Sequence, residues 1–371
     1  FRRVLFRSEL ETLITNGIES TRYLAVDESR MLADPARYYK GGKPDLQLFD
    51  KKLYEVNPDD KVAIARAAAE EVLGKDERII SVDSSYSDGE GSSYRLISNG
   101  FEGESKSTWF SVSASVSIKG EGEARPQDYW YDSALFYDKL TKTGIGAKAL
   151  ERVLRKLGQK KAKSGKYTMV VDPMNVGNLL SPMLSALYGS ALQQKNSFLM
   201  DKLDTKVASD LFTLRDEPHA IGANGSRYFD NEGVATEPRT VFDKGVLKTY
   251  FIDTYNGKKM DIAPTISAPS RLILTPGDKD LNGLVADIKQ GILVTGFNGG
   301  NSNSSTGDFS YGIEGFLIED GKLTQPVNEM NVTGNMVTLW NSLVAVGNDP
   351  QPNRSWQIPS LVFEGVDFSG L

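Results

Sequence analysis

Apolar and polar positions alternate most regularly between residues 110 and 118. The apolar residues Phe110, Val112, Ala114, Val116 and Ile118 are separated by Ser111, Ser113, Ser115 and Ser117. Because successive side chains of a strand point to opposite faces, a period of two places all the serines on one face. The pattern predicts a strand with one face in the core and the other in water.

The rest of the first half mixes helices with strands. Apolar residues at helical spacing predict a helix over residues 9–24, with Leu10, Leu13, Ile14 and Ile18 on one stripe. A second helix begins at Asn57-Pro58, where a capping side chain precedes proline, and ends at Gly74. A third helix is predicted over residues 144–163. Strands over 78–86 and 93–98 flank the glycine-rich residues 88–91, which predicts a hairpin there.

After Ser164-Gly165 the sequence changes to short strands separated by glycines. Strands are predicted over residues 167–171, 227–229, 241–242, 246–253, 271–274, 291–295, 312–319 and 322–327, and helices over 179–193 and 281–289. The expected fold class is α+β, with a mixed α/β N-terminal part followed by a β-rich C-terminal domain. We assign a central α+β domain to residues 9–163 and the β-rich domain to residues 165–371.

Residues 1–8 are interpreted separately. Arg2 to Ser8 reads like the translation of a common sequencing-adapter primer, so this segment is left out of the fold prediction. We expect the natural protein to continue upstream, which leaves open whether it carries a signal peptide.

Charge and composition narrow the choice of partners. The 371 residues carry a formal net charge of −6, which gives no support for a nucleic-acid partner. Apolar runs are too short to span a bilayer, so no membrane partner is expected. The basic residues between Arg152 and Lys163 are interpreted as the solvated face and basic end of one helix. The absence of cysteine is typical of a cytoplasmic protein.

The same composition excludes several kinds of active site. The chain has one histidine, His219, and no cysteine. It therefore cannot build thiol chemistry, or a zinc site with two histidines. His219 follows Pro218 and is expected to be a hydrogen-bonded loop residue.

Carboxylates are the remaining candidates for chemistry. Asp216, Glu217, Asp230 and Glu232 lie close together in the sequence. Asp230 and Glu232 share one face if they lie on a strand, and such a pair suits a hard cation or a two-carboxylate hydrolase. The alternative, which we favour, is that these acids hold turns beside Gly225 and Gly233.

A polar, glycine-rich segment between residues 296 and 307 is a candidate for binding. It is predicted to be a flexible loop, or a backbone-lined groove that receives an extended peptide or a partner chain. Its candidate contact residues are Gly296, Phe297, Asn298, Gly299, Gly300, Asn301, Ser305, Thr306 and Gly307.

Several blocks together carry a resemblance to a known family. They are residues 225–233 (GSRYFDNEG), 245–253 (GVLKTYFID), 291–295 (GILVT), 304–310 (SSTGDFS), 315–322 (GFLIEDGK) and 346–349 (VGND). In this order and spacing the chain resembles the TldD/TldE (PmbA) family of two-subunit bacterial and archaeal metallopeptidases. The resemblance covers nearly the whole chain from about Glu9.

The resemblance also implies which branch of the family this is. TldD-like subunits bind zinc with a helical His-Glu-x-x-x-His motif and a later cysteine, the glutamate polarising the attacking water. The corresponding helix here reads PMLSALYGSA from Pro182, and the tail after Asp349 has no cysteine. The chain is therefore similar to TldE/PmbA-like subunits, with no catalytic residue, metal ligand or cofactor of its own.

For such a subunit the resemblance implies a TldD-like partner that carries the zinc, and a heterodimer that degrades or processes unfolded peptides. Two alternatives stay open from the sequence. One is a self-sufficient hydrolase that uses the carboxylates above, with or without a divalent ion. The other is a structural homodimer without a peptidase role.

Overall fold

The computed structural model describes residues 2–371, and side chains from Glu9 onward. Of the predicted adapter segment, residue 1 and the side chains of residues 2–8 lie outside the described part. The helices are α1 (Arg2–Thr21), α2 (Pro58–Glu70), α3 (Ile145–Leu154), α4 (Gly177–Ser185), α5 (Gly189–Gln193), α6 (Thr254–Met260), α7 (Leu281–Ala286) and α8 (Met336–Asn341).

The strands form three sheets. They are β1 (Ile79–Ile97), β2 (Phe101–Ile118), β3 (Gln127–Ala134), β4 (Gly165–Val171), β5 (Leu214–Asp216), β6 (Arg239–Asp243), β7 (Val246–Leu247), β8 (Leu272–Leu274), β9 (Gln290–Ser302), β10 (Asp308–Glu319), β11 (Lys322–Asn335), β12 (Leu343–Val346), β13 (Trp356–Gln357) and β14 (Leu361–Ser369). This content confirms the α+β class.

The first sheet is antiparallel and has the order β1-β2-β3. The strict alternation over residues 110–118 is confirmed, because the apolar residues are buried and the serines half-exposed. α2 and α3 cover the buried face with Ala68, Val72, Ala149 and Val153. The cap at Asn57 is confirmed as well, since its side chain accepts a hydrogen bond from the Asp59 N–H at 2.9 Å.

The predicted hairpin turn at residues 88–91 is wrong. β1 continues straight through it, and the turn lies at residues 98–100 instead. Gly89 pairs with Trp109, and a Cβ on Gly89 would lie 3.0 Å from the Trp109 indole nitrogen. The glycine therefore makes room for a cross-strand tryptophan, which is one of the uses of glycine inside a strand.

The second sheet has the order β11-β10-β9-β4-β14-β12, in which β4 and β9 are parallel. An additional pairing between β11 and β14 closes five of these strands into a ring. The main core fills this region and includes Trp340, Phe212 and Phe363. The third sheet, β13-β8-β5-β6-β7, packs its apolar residues into the same core.

Several predicted elements are shorter or broken. The helix over 144–163 ends at Leu154, and the helix over 179–193 divides into α4 and α5 at residues 186–188. Residues 227–229 are not a strand, and the strand over 246–253 is reduced to Val246–Leu247. The sequence in these segments still favours a helix or a strand. The element ends where the surrounding structure does not supply further strand pairing or packing.

The two halves of the chain share interior residues. Ala33, Tyr38 and Phe101 come from the first half and pack in the main core of the second. Lys156, which follows α3, is 9% exposed and forms ion pairs with Asp128 at 3.2 Å and Glu314 of β10 at 2.7 Å. The interpretation of this basic segment as a solvated helix face is therefore wrong at Lys156. The domain division at residues 163–165 stays a prediction.

Candidate functional site: a groove beside helix α4

The polar segment 296–307 is a strand and a tight turn, not a flexible loop. Residues up to Ser302 extend β9 and pair with β10, for example Gly300 with Tyr311. The turn that follows is held from two sides. Its Ser304 carbonyl accepts the Phe198 N–H at 2.9 Å, and its Gly307 carbonyl accepts the Met336 N–H at 2.8 Å. Gly307 adopts a φ of +81°, which favours glycine at this position.

One edge of this strand segment is open. On its other side β9 pairs with β4 only from Gly291 to Val294, because β4 ends at Val171. The Thr295 carbonyl accepts a hydrogen bond from the Asn175 side chain at 2.8 Å. Within residues 2–371, no strand pairs with the outer edge of residues 296–302.

A groove of about 530 Å³ opens between α4 and the β9–β10 hairpin. Asn178, Ser181 and Ser185 contribute one wall from α4, where their spacing of three and four residues places them on one face. Asn301, Ser302 and Ser304 contribute the opposite wall, and the aromatic rings of Tyr311, Trp356 and Phe198 complete the lining.

The lining of the groove carries no charged side chain. Among the described residues, the side chains of Ser181, Ser185 and Asn301 have no hydrogen-bond partner in the protein, and the same holds for Ser302, Ser304, Tyr311 and Trp356. Neutral donors and acceptors with aromatic rings beside them are suited to amide groups and apolar side chains. This groove therefore presents polar groups that the fold itself does not use.

The sequence missed the α4 residues as candidates. The sequence predicts a helix over residues 179–193, but neither Ser181 nor Ser185 is singled out there as a candidate. Their one-turn spacing within an otherwise apolar helix was the available signal. The candidate Asn301 lies in the groove, whereas Gly307 is buried in the turn.

The carboxylates do not converge on one site. Asp216 is buried and accepts the N–H groups of Ser270 at 3.0 Å and Arg271 at 2.8 Å. Burial raises the pKa of Asp216, opposed by these hydrogen bonds. Glu217 instead forms an ion pair with Arg215 at 2.7 Å.

Asp230 and Glu232 hold backbone turns. Asp230 accepts the N–H groups of Glu232 at 2.9 Å, Val234 at 3.0 Å and Ser267 at 3.0 Å. Glu232 accepts the Thr254 N–H and hydroxyl, and burial raises its pKa. In the part of the chain that the structure covers, no group of three His, Asp or Glu side chains is placed to hold a metal ion. The contacts of Asp230 and Glu232 with nearby backbone N–H groups are those that the turn interpretation expects.

His219 is a hydrogen-bonded loop residue, as expected. Its Nε2 lies 3.0 Å from the Thr236 hydroxyl, and its ring packs on Tyr228 with centroids 5.0 Å apart. Burial lowers the pKa of His219, and the nearby Lys43 lowers it further.

Comparison with known proteins places this chain in a family. The model of the PmbA/TldA metallopeptidase C-terminal domain matches residues 164–370, and that of the central domain matches residues 51–157. The chain belongs to the PmbA/TldD family of metallopeptidases.

Individual relatives agree with this assignment. A Haemophilus influenzae protein named metalloprotease PmbA homolog is 29% identical over 97% of this chain and 81% of its own length. A solved structure from Bacteroides thetaiotaomicron, described as a candidate modulator of DNA gyrase, is 73% identical, with a TM-score of 0.97 over 98% of this chain and 84% of that one. TldE from Thermococcus kodakarensis shares the fold, with a TM-score of 0.78 at 22% identity, over 94% of this chain and 82% of that one.

Among the described residues, no helix has the length and apolar character needed to cross a bilayer. The cytoplasmic location stays a prediction.

Proposed function

We propose that this chain is the non-catalytic, TldE/PmbA-like subunit of a heterodimeric zinc metallopeptidase that degrades or processes unfolded peptides. A TldD-like chain supplies the zinc and the catalytic residues. The observation that carries the proposal is the uncharged groove beside α4, the helix that corresponds by resemblance to the zinc-binding helix of TldD-like subunits and has neither histidine nor glutamate. Family membership supports the reaction class, and the single histidine supports the division of roles.

The role of this subunit is to hold an extended peptide and to complete the substrate chamber of the partner. The open edge of β9 over residues 296–302 offers backbone N–H and carbonyl groups to an added strand. Such binding depends on main-chain hydrogen bonds and tolerates many sequences. The uncharged groove next to this edge suits internal peptide segments, because it has no charge for a peptide terminus.

The division of roles is tested by co-purification with the TldD-like protein of the same genome, followed by metal analysis of each chain. We expect one equivalent of zinc in the TldD-like chain and none in this one. Zinc at one equivalent in this chain alone would overturn the proposal. Hydrolysis by this chain alone that is lost in Asp230→Ala would favour the self-sufficient hydrolase instead, provided the variant stays folded.

The groove is tested by filling it in the assembled complex. Ser185→Tyr and Ser181→Tyr place a ring in the groove from the exposed face of α4. We expect at least a tenfold loss in peptide cleavage, with complex formation unchanged. Ser190→Tyr is the matched control, since Ser190 is exposed on α5 outside the groove. Unchanged cleavage in the Ser181 and Ser185 variants would exclude the groove as a substrate site.

A further inference from the structure

A second cavity lies in the first half of the chain, away from the residues of the α4 groove. It has a volume of about 460 Å³ and lies between the β1–β2 ribbon (residues 89–109) and two loops, residues 39–48 and 226–231. We call it the ribbon pocket.

Small residues keep the ribbon pocket open. Ser93 pairs with Ser105 and Arg95 pairs with Gly103, so these side chains share the ribbon face towards the loops. A Cβ on Gly103 would lie 2.9 Å from the Phe229 ring, so Phe229 packs directly against the ribbon backbone. Phe229 thereby forms one wall, and the two serines leave the adjacent space unfilled.

The lining contains four cations; Lys106 pairs with Glu90 and Arg227 donates hydrogen bonds to residues 268–270, which leaves Arg95 and Lys43 without such a partner among the described residues. Among the residues with described side chains, no carboxylate lies within 4.0 Å of the charged groups of Arg95 or Lys43. The Lys43 ammonium lies 5.3 Å from the centre of the Tyr228 ring. Three carboxylates also line the pocket: Asp45 and Asp230 accept backbone N–H groups, and Glu104 stands opposite Tyr94 in the ribbon. Arg95 is half-buried, and a partly desolvated guanidinium is stabilised by an anion.

The wall beside the cations is apolar. Tyr39 and Tyr228 stack with centroids 5.2 Å apart and an interplanar angle of 11°, and Pro44 and Leu46 extend this surface. A ligand that contacts Arg95, Lys43 and this wall therefore carries a negative charge next to a hydrocarbon or aromatic group. A free phosphate would leave the apolar wall uncovered.

We propose that the ribbon pocket binds the C-terminal carboxylate of a peptide. Arg95 and Lys43 neutralise the carboxylate, and the apolar wall contacts the terminal side chain. Capture of a chain terminus is an established mode of peptide recognition, and hydrogen bonds from Arg and Lys to a carboxylate are stronger than those between neutral groups. The proposal needs neither the TldD-like partner nor the α4 groove, and it can fail or succeed independently of both.

The test is direct binding of a fluorescein-labelled pentapeptide that ends in phenylalanine, prepared as the free acid and as the C-terminal amide. Fluorescence anisotropy with the purified full chain is expected to show at least tenfold tighter binding of the acid. Arg95→Gln and Lys43→Gln should each reduce this preference, and the double variant should abolish it. Ser93→Phe, which fills the pocket and keeps both charges, should weaken binding of the acid as well.

Matched controls are Arg66→Gln and Lys75→Gln, which remove exposed cations that do not line the pocket. They should leave the preference for the acid unchanged, and thermal unfolding should show that all variants are folded. Equal affinity of the wild-type chain for acid and amide would overturn the proposal. Equal affinity together with binding of inorganic phosphate that depends on Arg95 would mean that the pocket holds a simple anion and would also overturn it.

Discussion

Single polar side chains set the path of the backbone in the loops of the second half. The carboxylate of Asp230 accepts three backbone N–H groups, and that of Asp216 accepts two. A buried carboxylate that accepts backbone N–H groups stabilises one loop conformation. The observed partners of Asp216 and Asp230 are backbone N–H groups, as the turn interpretation expects.

His219 gives a prediction about pH. Burial and Lys43 lower its pKa below the ordinary value of about 6.5. The unfolded chain therefore binds a proton that the folded chain excludes, so this group contributes stability at neutral pH that is lost as the pH falls below about 6.5. Because the chain has one histidine, its imidazole signal in proton NMR is unambiguous.

We expect that titration to give a pKa below the ordinary value, and Lys43→Gln to raise it. Lys75→Gln is the control and should have no effect, since Lys75 is exposed and is not among the groups that perturb His219. A pKa at or above the ordinary value in the wild-type chain would contradict the packing described for this loop.

At the scale of elements, the β9–β10 hairpin is fixed to the first half of the chain by a buried ion cluster. Lys156 contacts Asp128 of β3 and Glu314 of β10, and it donates a hydrogen bond to the Gln127 carbonyl at 3.0 Å. Gly296 makes room for this cluster, since a Cβ there would lie 2.6 Å from the Glu314 carboxylate. The hairpin that forms one wall of the α4 groove is thus anchored near its base.

Lys156→Met is expected to destabilise the protein by about 3–5 kcal/mol, because it leaves the largely buried Glu314 carboxylate without a partner. Adding Glu314→Leu should recover much of the loss. Urea unfolding followed by circular dichroism measures both changes. Lys166→Met, which breaks the exposed contact between Lys166 and Asp367, should have no measurable effect. If Lys156→Met also left the free energy of unfolding unchanged, the buried ion cluster would not stabilise the position of the hairpin.

At the scale of the whole molecule, the cores of the two halves are joined by aromatic residues. Phe101, at the start of β2, packs against Tyr38 and Phe229 with ring centroids 5.2 and 5.0 Å away. The distal end of the ribbon is therefore part of the main core, although its sequence is mostly polar. The stability of the second half depends on residues from the first.

Phe101→Ala is expected to cost about 3–5 kcal/mol, because it leaves a cavity where Phe101 is 1% exposed. Tyr94→Ala on the exposed face of the same ribbon should change stability by about 0.5 kcal/mol or less. Chemical denaturation with tryptophan fluorescence measures both. A small effect of Phe101→Ala would mean that the ribbon does not contribute to the main core.

Period-two alternation and the cap at Asn57 could be predicted, because each depends on neighbours in the sequence. The lengths of the strands could not be predicted from the sequence. β1 passes through a glycine-rich segment that predicted a turn, because Trp109 on the next strand covers Gly89. β9 extends through another such segment because β10 supplies the pairing.

By itself, the sequence determined the fold class, the family resemblance and the exclusion of a zinc site with two histidines, because these follow from composition and local pattern. Only the tertiary structure decided where the polar side chains act. It gave Asp216 and Asp230 backbone N–H partners, paired Glu217 with Arg215, and brought Ser181 and Ser185 together with Asn301 in one uncharged groove. It also placed Arg95 and Lys43 in one pocket, because contacts between distant residues depend on how strands and helices pack.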